Sequence, residues 1–434
     1  MRGDFNKKAF AIAVVIVLVF PSIIYGTDVT GKYTAIYQGR EDRDGEKESI
    51  FDNYLRLDIN NLFNPDISVH AYGKYGHGFN NDFSDGDVYY LYLQYRTFEG
   101  RTDLRLGRFP IETHRFLTVD GINATLRPEG IIGVSAFAGQ PRYLEIDPDR
   151  FHREFRDTGD YIFGGKVFLQ GMKGLRANVS YSREGNGENV YRDLLGAGAG
   201  KDFNLKVFDT DVRISSDVLA DYNTDKSNMD KLTGRVNVFF DKKVRVILGA
   251  DRYNVKEDYP EGRELIMSLL STGREDRLSY TIFYDITENL AVYQASTFTR
   301  LEMPDGEWHR GTIIKGGING NFLKEAGLDF GVGVYRFDSF VAKASGVTTE
   351  IKWHLSGKWT FEGGVEAVSF NTPFRDSKTA TTVTGEVKYS PNRRMNVAVF
   401  AEQSDNPEYT SDFRAGIRVE YNFSFGPFED RSTK

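Results

Sequence analysis

The sequence predicts a single all-β architecture: one closed transmembrane antiparallel β-barrel of about 18–22 strands, with short periplasmic turns and long extracellular loops. Three observations predict it. From about Tyr33 to Phe423, segments of roughly ten residues alternate apolar and polar side chains, and the connections between them are by turns short and long. No Pro/Ser-rich linker, charge block or shift of composition divides the 434 residues into smaller domains. Alternation of period two gives a strand one greasy and one wet face, whereas a helix would scatter the same charges around its axis.

The elements follow in chain order. Lys7 and Lys8 precede an apolar run from Ala9 to Phe20, then Pro21 and a small residue, Gly26. This charged, greasy, small-residue order predicts a secretory signal over 1–26, and the apolar run is shorter than the ~20 residues a membrane-spanning helix needs. The barrel is expected over 27–425, with a short periplasmic extension at 426–434. Near its start Leu55, Leu57 and Ile59 oppose Arg56 and Asp58. Further on, Leu175, Ala177, Val179 and Tyr181 oppose Arg176, Asn178, Ser180 and Ser182. Leu232, Val236, Val238 and Phe240 oppose Lys231, Thr233, Arg235 and Asn237; Val383, Val387 and Tyr389 oppose Thr382, Thr384, Glu386 and Lys388. At the end Phe413, Ala415, Ile417, Val419, Tyr421 and Phe423 oppose Arg414, Arg418, Glu420 and Asn422.

Short turns are expected at 60–65, 98–100, 127–130, 171–174, 241–243, 287–289, 356–357 and 390–393, where Gly, Asn, Asp and Pro supply the backbone angles of tight reversals. Longer, charged connections are expected at 39–49, 139–160, 184–202 and 256–276. A soluble sandwich has no reason to segregate loop lengths between two rims. Reading 206–214 and 218–223 as a hairpin brings the count to about 22 strands, and reading them as loop leaves about 20. Either number leaves little chain for a separate plug domain.

Composition narrows the function. The mean hydropathy of -0.44 excludes a bundle of membrane helices but suits a barrel with a polar lumen, and 24 Tyr with 33 Phe suit aromatic girdles. With no cysteine, the chain has no disulfide, no thiolate metal site and no covalently attached haem of its own, and no cofactor is expected. Net charge is -7, and removing Arg2, Lys7, Lys8 and Asp4 with the signal takes away +2, giving -9. That argues against nucleic acid as a partner and for a weak preference for cations in any pore.

Alternation places a set of charged residues on the wet face as candidate pore-lining groups: Arg56, Asp58, Asp103, Arg105, Arg176, Asp211, Arg213, Arg235, Arg245, Asp251, Lys358, Glu362, Glu366, Glu386, Lys388, Arg414, Arg418 and Glu420. They would set the field inside a hydrated path. The connection 142–160 carries Glu145, Asp147, Asp149, Arg150, Arg153 and Arg156, the two signs a constriction needs. Six scattered histidines lack ligand spacing, and no metal site is expected. Gly133-Val134-Ser135-Ala136-Phe137 lacks the last glycine of a nucleophile elbow. The run 196–201 lacks the first Gly and the Ser/Thr of a phosphate loop, and is expected to be an extracellular loop. No enzyme is expected.

Over 28–425 the chain resembles the Gram-negative outer-membrane porins and porin-like channels. The stretch that carries this best is Leu104-Arg105-Leu106-Gly107-Arg108, read as a strand ending in Gly-Arg, followed by Pro110 and by Asp120-Gly121 opening the next strand. The resemblance implies that the loop at 109–119, or that at 140–160, folds inward to narrow the channel. It also implies passage of small polar solutes or ions and a home among outer-membrane lipid. One departure is that the terminal aromatics Phe423 and Phe425 are followed by nine further residues, 426–434. Two other functions fit less closely: a sheath around a multihaem cytochrome, and a membrane lipase, for which no Ser–His pair stands out. Oligomeric state is not legible.

Overall fold

The structure, a computed structural model, describes residues 27–426 apart from 42–46, 80–83, 98–99, 112–116, 129–130, 148–149, 156–158, 208, 242, 255–273, 304–305, 324–326, 340–341, 375–376 and 406–411. The expected signal segment and the C-terminal extension beyond Gly426 lie outside the described residues.

The strands are β1 (Asp28–Glu41), β2 (Lys47–Asn60), β3 (Ile67–Gly78), β4 (Ser84–Thr97), β5 (Thr102–Ile111), β6 (Leu117–Leu126), β7 (Ile132–Asp147), β8 (Arg150–Phe155), β9 (Asp160–Met172), β10 (Leu175–Asn186), β11 (Asn189–Val207) and β12 (Thr210–Asn223). They continue as β13 (Asn228–Phe240), β14 (Val244–Asn254), β15 (Arg274–Thr287), β16 (Leu290–Glu302), β17 (Trp308–Leu323), β18 (Leu328–Asp338), β19 (Lys343–His354), β20 (Trp359–Phe374), β21 (Ser377–Asn392), β22 (Met395–Asp405) and β23 (Asp412–Phe425). With β8 left aside, each pairs antiparallel with its neighbour in sequence, and β1 pairs with β23, so the sheet closes. The strand β8 stands outside the ring. Among the described residues it pairs only with the outer end of β7, while β7 itself pairs directly with β9. The ring therefore has 22 strands, and the fold is a transmembrane β-barrel.

Curvature tells the two faces apart. Side chains on a concave wall converge, and the polar face makes contacts that skip a strand: Arg418 of β23 reaches Glu386 of β21 at 2.7 Å, and Arg176 of β10 reaches Asp217 of β12 at 3.0 Å. On the other face they fan apart, leaving Leu106 59%, Val334 57% and Leu278 57% exposed. Water thus lies inside and hydrocarbon outside, the reverse of a soluble barrel. With ~4.8 Å between strands and a tilt of ~40°, a circular ring of this size spans roughly 40–45 Å between backbones. Side chains on both walls leave an opening of roughly 30 Å, far too wide to be filled as a core. At the short-turn rim the apolar face carries aromatic pairs, Trp359 with Tyr389 at 4.5 Å and Trp353 with Phe361 at 5.9 Å, where amphipathic rings suit a membrane interface.

Several expected loops are strand. The run 196–201 lies in the middle of β11, paired on both sides, and is no extracellular loop. Its neighbours decide this: outward Val179 and Tyr181 on β10 match outward Val218 and Tyr222 on β12, and β11 must bridge them. The connection expected at 184–202 is only the turn 187–188, and in place of a hairpin of 206–214 and 218–223 the chain ends β11 at Val207 and runs through Thr210–Asn223 as one strand, β12. Much of 139–160 is the β7–β8 hairpin. Lys358 sits in the short turn before β20, off the wall.

The stretch of porin resemblance lies within strands rather than at a strand end. β5 runs past Gly107-Arg108 to Ile111, and Asp120-Gly121 lies inside β6. Gly107, Gly121 and Gly139 are laterally paired across three strands. A methyl group at Gly121 would come within 2.0 Å of the Ala138 carbonyl oxygen, one at Gly139 within 2.4 Å of that of Asp120, and one at Gly107 within 2.4 Å of that of Leu91. Gly107 also has φ +121°. Backbone lies close against backbone along this row. Beyond it the inward side chains of Phe109, Ile111, Leu117 and Val119 pack with Phe137 and Ile162 into a sealed apolar cluster, with Phe109 and Val119 at 0% exposure.

Candidate functional site

The inner wall carries the candidate chemistry because strand register stacks every second residue toward the lumen. Register puts all the expected lining residues except Lys358 on that face: Arg56 opposite Tyr72, Asp58 opposite His70, Arg105 opposite Asn123, Arg213 opposite Phe239, and Glu362 opposite Glu386. Of the expected constriction residues, Glu145 stands across from Arg153 and Asp147 from Arg150 in the hairpin, while Asp149 and Arg156 lie outside the described residues.

Most of these charges meet one another. Arg418 holds both oxygens of Glu386 at 2.7 and 2.9 Å, Lys352 holds Glu362 at 2.5 Å, and Lys32 holds Glu420 at 2.8 Å. Arg176 is shared by Asp202 and Asp217, at 2.9 and 3.0 Å. Asp103, nearly buried at 2% exposure, accepts from Gln94 at 2.7 Å and from Arg96 and Arg105 at 3.3–3.4 Å. Arg245 has its guanidinium over two rings instead, Phe239 at 5.2 Å and Phe283 at 5.8 Å.

Two depressions break the wall. One, of about 740 Å³ between β17 and β23, is lined by Glu350, Lys352, Glu362, Glu386, Glu402 and Arg418. The other, of about 420 Å³ between β5 and β10, is lined by Arg105, Arg127, Lys166 and Arg176 among Asn123 and Asn178. The two lie on opposite sides of the ring. Carboxylates exceed cations in the first and only cations line the second, so a solute meets walls of different sign. Across roughly 30 Å the two fields do not add, because the Debye length at physiological salt is ~8 Å.

A further group was not legible in the sequence. Ser68 Oγ lies 3.0 Å from His70 Nε2, and His70 Nδ1 lies 2.6 Å from Asp58. Ser68 and His70 are alternate residues of β3, and only the β2–β3 register adds the aspartate. The order Ser–His–Asp is that of an activated nucleophile. Its surroundings differ from a hydrolase's: Gln94 has its amide nitrogen anchored on Asp103, so its carbonyl oxygen faces the pair, 3.1 Å from His70 Nε2 and 3.4 Å from Ser68 Oγ. Oxyanion stabilisation needs donors there, and an acceptor occupies the place. The group is a polar ladder on a wet wall, with His70 stacked on Tyr92 at 5.0 Å.

Among solved structures, the siderophore receptor PirA from Pseudomonas aeruginosa is similar with a TM-score of 0.57 and 11% identity, covering 91% of this chain and 80% of that one. OpdK from Pseudomonas aeruginosa, solved with vanillate, and OpdQ from the same organism each match at 12% identity over 92% of this chain, with TM-scores of 0.41 and 0.43, covering 98% and 100% of their own. No protein-family profile and no curated protein matches the sequence. The likeness is one of fold, a large closed β-barrel.

Proposed function

We propose that this transmembrane β-barrel, porin-like in fold, is an outer-membrane channel through which ions and small polar solutes diffuse along a charged, water-filled lumen. The observation that carries the reading is the closure of 22 strands around a concave face of interleaved acids and bases, with the apolar face outside. A wall of that composition is wetted, and a wetted path of this width passes hydrated ions. Because most cations and carboxylates are paired, selectivity is set by the surplus, and the depression holding Glu350 and Glu402 beside the Glu362 and Glu386 pairs tilts it toward cations. The chain is exported by its N-terminal signal, and no reaction is assigned to it.

Reconstitution of the purified protein in a planar bilayer tests this. Stepwise conductance with a modest cation preference in a salt gradient is expected; a silent bilayer from protein that migrates as a folded barrel would overturn it. The estimated opening of roughly 30 Å also favours a second reading, a sheath around a multihaem cytochrome, in which the haem belongs to the partner. Haem absorbance that co-purifies with the barrel in stoichiometric amount would support the sheath and replace the free channel.

A further inference from the structure

On the outer, lipid-facing side of the barrel, four arginines gather at the rim of the long connections. Register sets Arg252 of β14, Asp276 of β15, Arg300 of β16 and Arg310 of β17 in one row, each opposite the next. They share the face of Leu278, Phe298 and Ile314, which are 57%, 43% and 47% exposed, and so point away from the lumen. Asp276 takes Arg252 at 2.6 Å and Arg300 at 2.6 Å, with Arg274 at 3.6 Å. The Trp308 ring lies between Arg274 and Arg300, 4.8 and 4.7 Å from their guanidinium carbons.

One carboxylate cannot neutralise this group. On the outward positions of β14 to β17, Arg252, Arg274, Arg300 and Arg310 stand against Asp276 and, one pair higher, Glu302, a surplus of two positive charges on these four strands. The guanidiniums of Arg252, Arg274 and Arg300 are also held in place by the shared aspartate or the indole, so these three have little freedom left to lose on binding. Their height is informative. Asp276 and Tyr284, an exposed ring on the same face near the short-turn end, lie eight residues apart on β15, which at ~3.4 Å per residue and ~40° of tilt is about 20 Å of height. This places the arginines at the outer edge of the apolar band, where headgroups of the outer leaflet begin.

Directly on the membrane side of the row is a groove of about 650 Å³. Small residues, Gly234 and Ala250, form its floor, and Leu232, Leu278, Phe298 and Val218 its walls, while Arg252, Arg300 and Arg310, with Asp276 among them, close its upper end. An apolar slot capped by surplus guanidinium matches a molecule that is a phosphate at one end and a hydrocarbon chain at the other.

We propose that this is a binding site for a phosphorylated, multiply acylated lipid of the outer leaflet, its phosphate on Arg252, Arg300 and Arg310 and an acyl chain in the Gly234–Ala250 groove. The inference takes the source of the lipid from the outer-membrane reading, but it does not need the barrel to conduct. Bidentate guanidinium contacts discriminate a phosphate from a neutral headgroup, and the groove discriminates a lipid from a free anion.

Native mass spectrometry of the full-length barrel in neutral detergent, titrated with diphosphorylated lipid A, with the same lipid dephosphorylated, and with inorganic phosphate, tests both halves. The wild type is expected to retain diphosphorylated lipid A at least tenfold better than the dephosphorylated form. The triple variant R252Q/R300Q/R310Q should lose that preference, while the lumenal variant R176Q keeps it. Ala250→Trp, which fills the groove, should weaken lipid A binding tenfold with the arginines intact. Unheated gel mobility and bilayer conductance report that each variant is folded, and their loss in wild type would mark failure of the channel reading alone. Equal retention of both lipids by the wild type, an unchanged preference in the triple variant, or millimolar inorganic phosphate displacing lipid A in full would each overturn the site.

Discussion

Arg418 and Glu386 face the lumen from strands two apart, bound through both carboxylate oxygens. Cutting this pair from either side moves the lumenal charge in opposite directions. Arg418→Gln leaves Glu386 without its guanidinium and is expected to shift the reversal potential toward stronger cation preference; Glu386→Gln leaves Arg418 and is expected to shift it the other way. A pair of variants that move it in the same direction would argue that neither residue borders the conducting path. The paired glycines of β5, β6 and β7 make a sharper demand. A side chain at Gly121 would meet the Ala138 carbonyl and the Gly139 Cα, both backbone atoms fixed by the β6–β7 pairing. Gly121→Val is expected to cost more than ~3 kcal/mol, seen as loss of the fast-migrating unheated band and a lower urea midpoint. Gly385, whose added methyl group would meet nothing within 4 Å, should accept Ala with no change in mobility.

Among the elements, the β7–β8 hairpin is the one whose removal the ring can survive, because β7 pairs with β9 from Ile132↔Leu169 to Gly139↔Ile162 without it. Replacing residues 143–157 with a short Gly/Ser linker is therefore expected to leave the heat-sensitive gel mobility intact and, if the hairpin narrows the lumen, to raise single-channel conductance roughly 1.5-fold or more. Unchanged conductance would place the hairpin clear of the path. This element was the hardest to read in the sequence: its charges, Glu145, Asp147, Arg150 and Arg153, look like a solvated loop, yet backbone pairing holds them. β11 was hidden for a different reason. Gly196, Gly198 and Gly200 give no polar contrast to alternate, and they are small because the lumen is crowded there: a methyl group at Gly198 would come 2.7 Å from the Asn178 side chain and one at Gly200 2.1 Å from that of Asp217. Strands with strong contrast, such as β13, β21 and β23, were legible, since burial on one side and water on the other write themselves directly into the residue types. What the alternation could not supply was register. The inner face was therefore readable one strand at a time, but the Ser68–His70–Asp58 ladder, the skip-strand ion pairs and the outer arginine row depend on which residue of one strand stands beside which of the next.

The whole molecule is closed by one seam. β1 and β23 pair from Val29↔Phe425 to Arg40↔Arg414, Lys32 and Glu420 bridge them at 2.8 Å, and the Phe423 ring covers Gly31. A chain ending at Asp405 would keep 21 of the 22 ring strands and lose the seam. It is expected to give no fast-migrating band and no conductance, although most of its strand pairs are intact; recovery of either would show that the ring can close on β22 instead. The strand synthesised first is thus the last to be satisfied on both edges. For the whole interval before the final strand arrives, its bare amides and carbonyls offer a template to any other chain nearby. Whatever escorts this polypeptide to the bilayer has to guard that early edge as well as recognise the late one, and a delay in delivering the tail would be punished by aggregation that begins at the head.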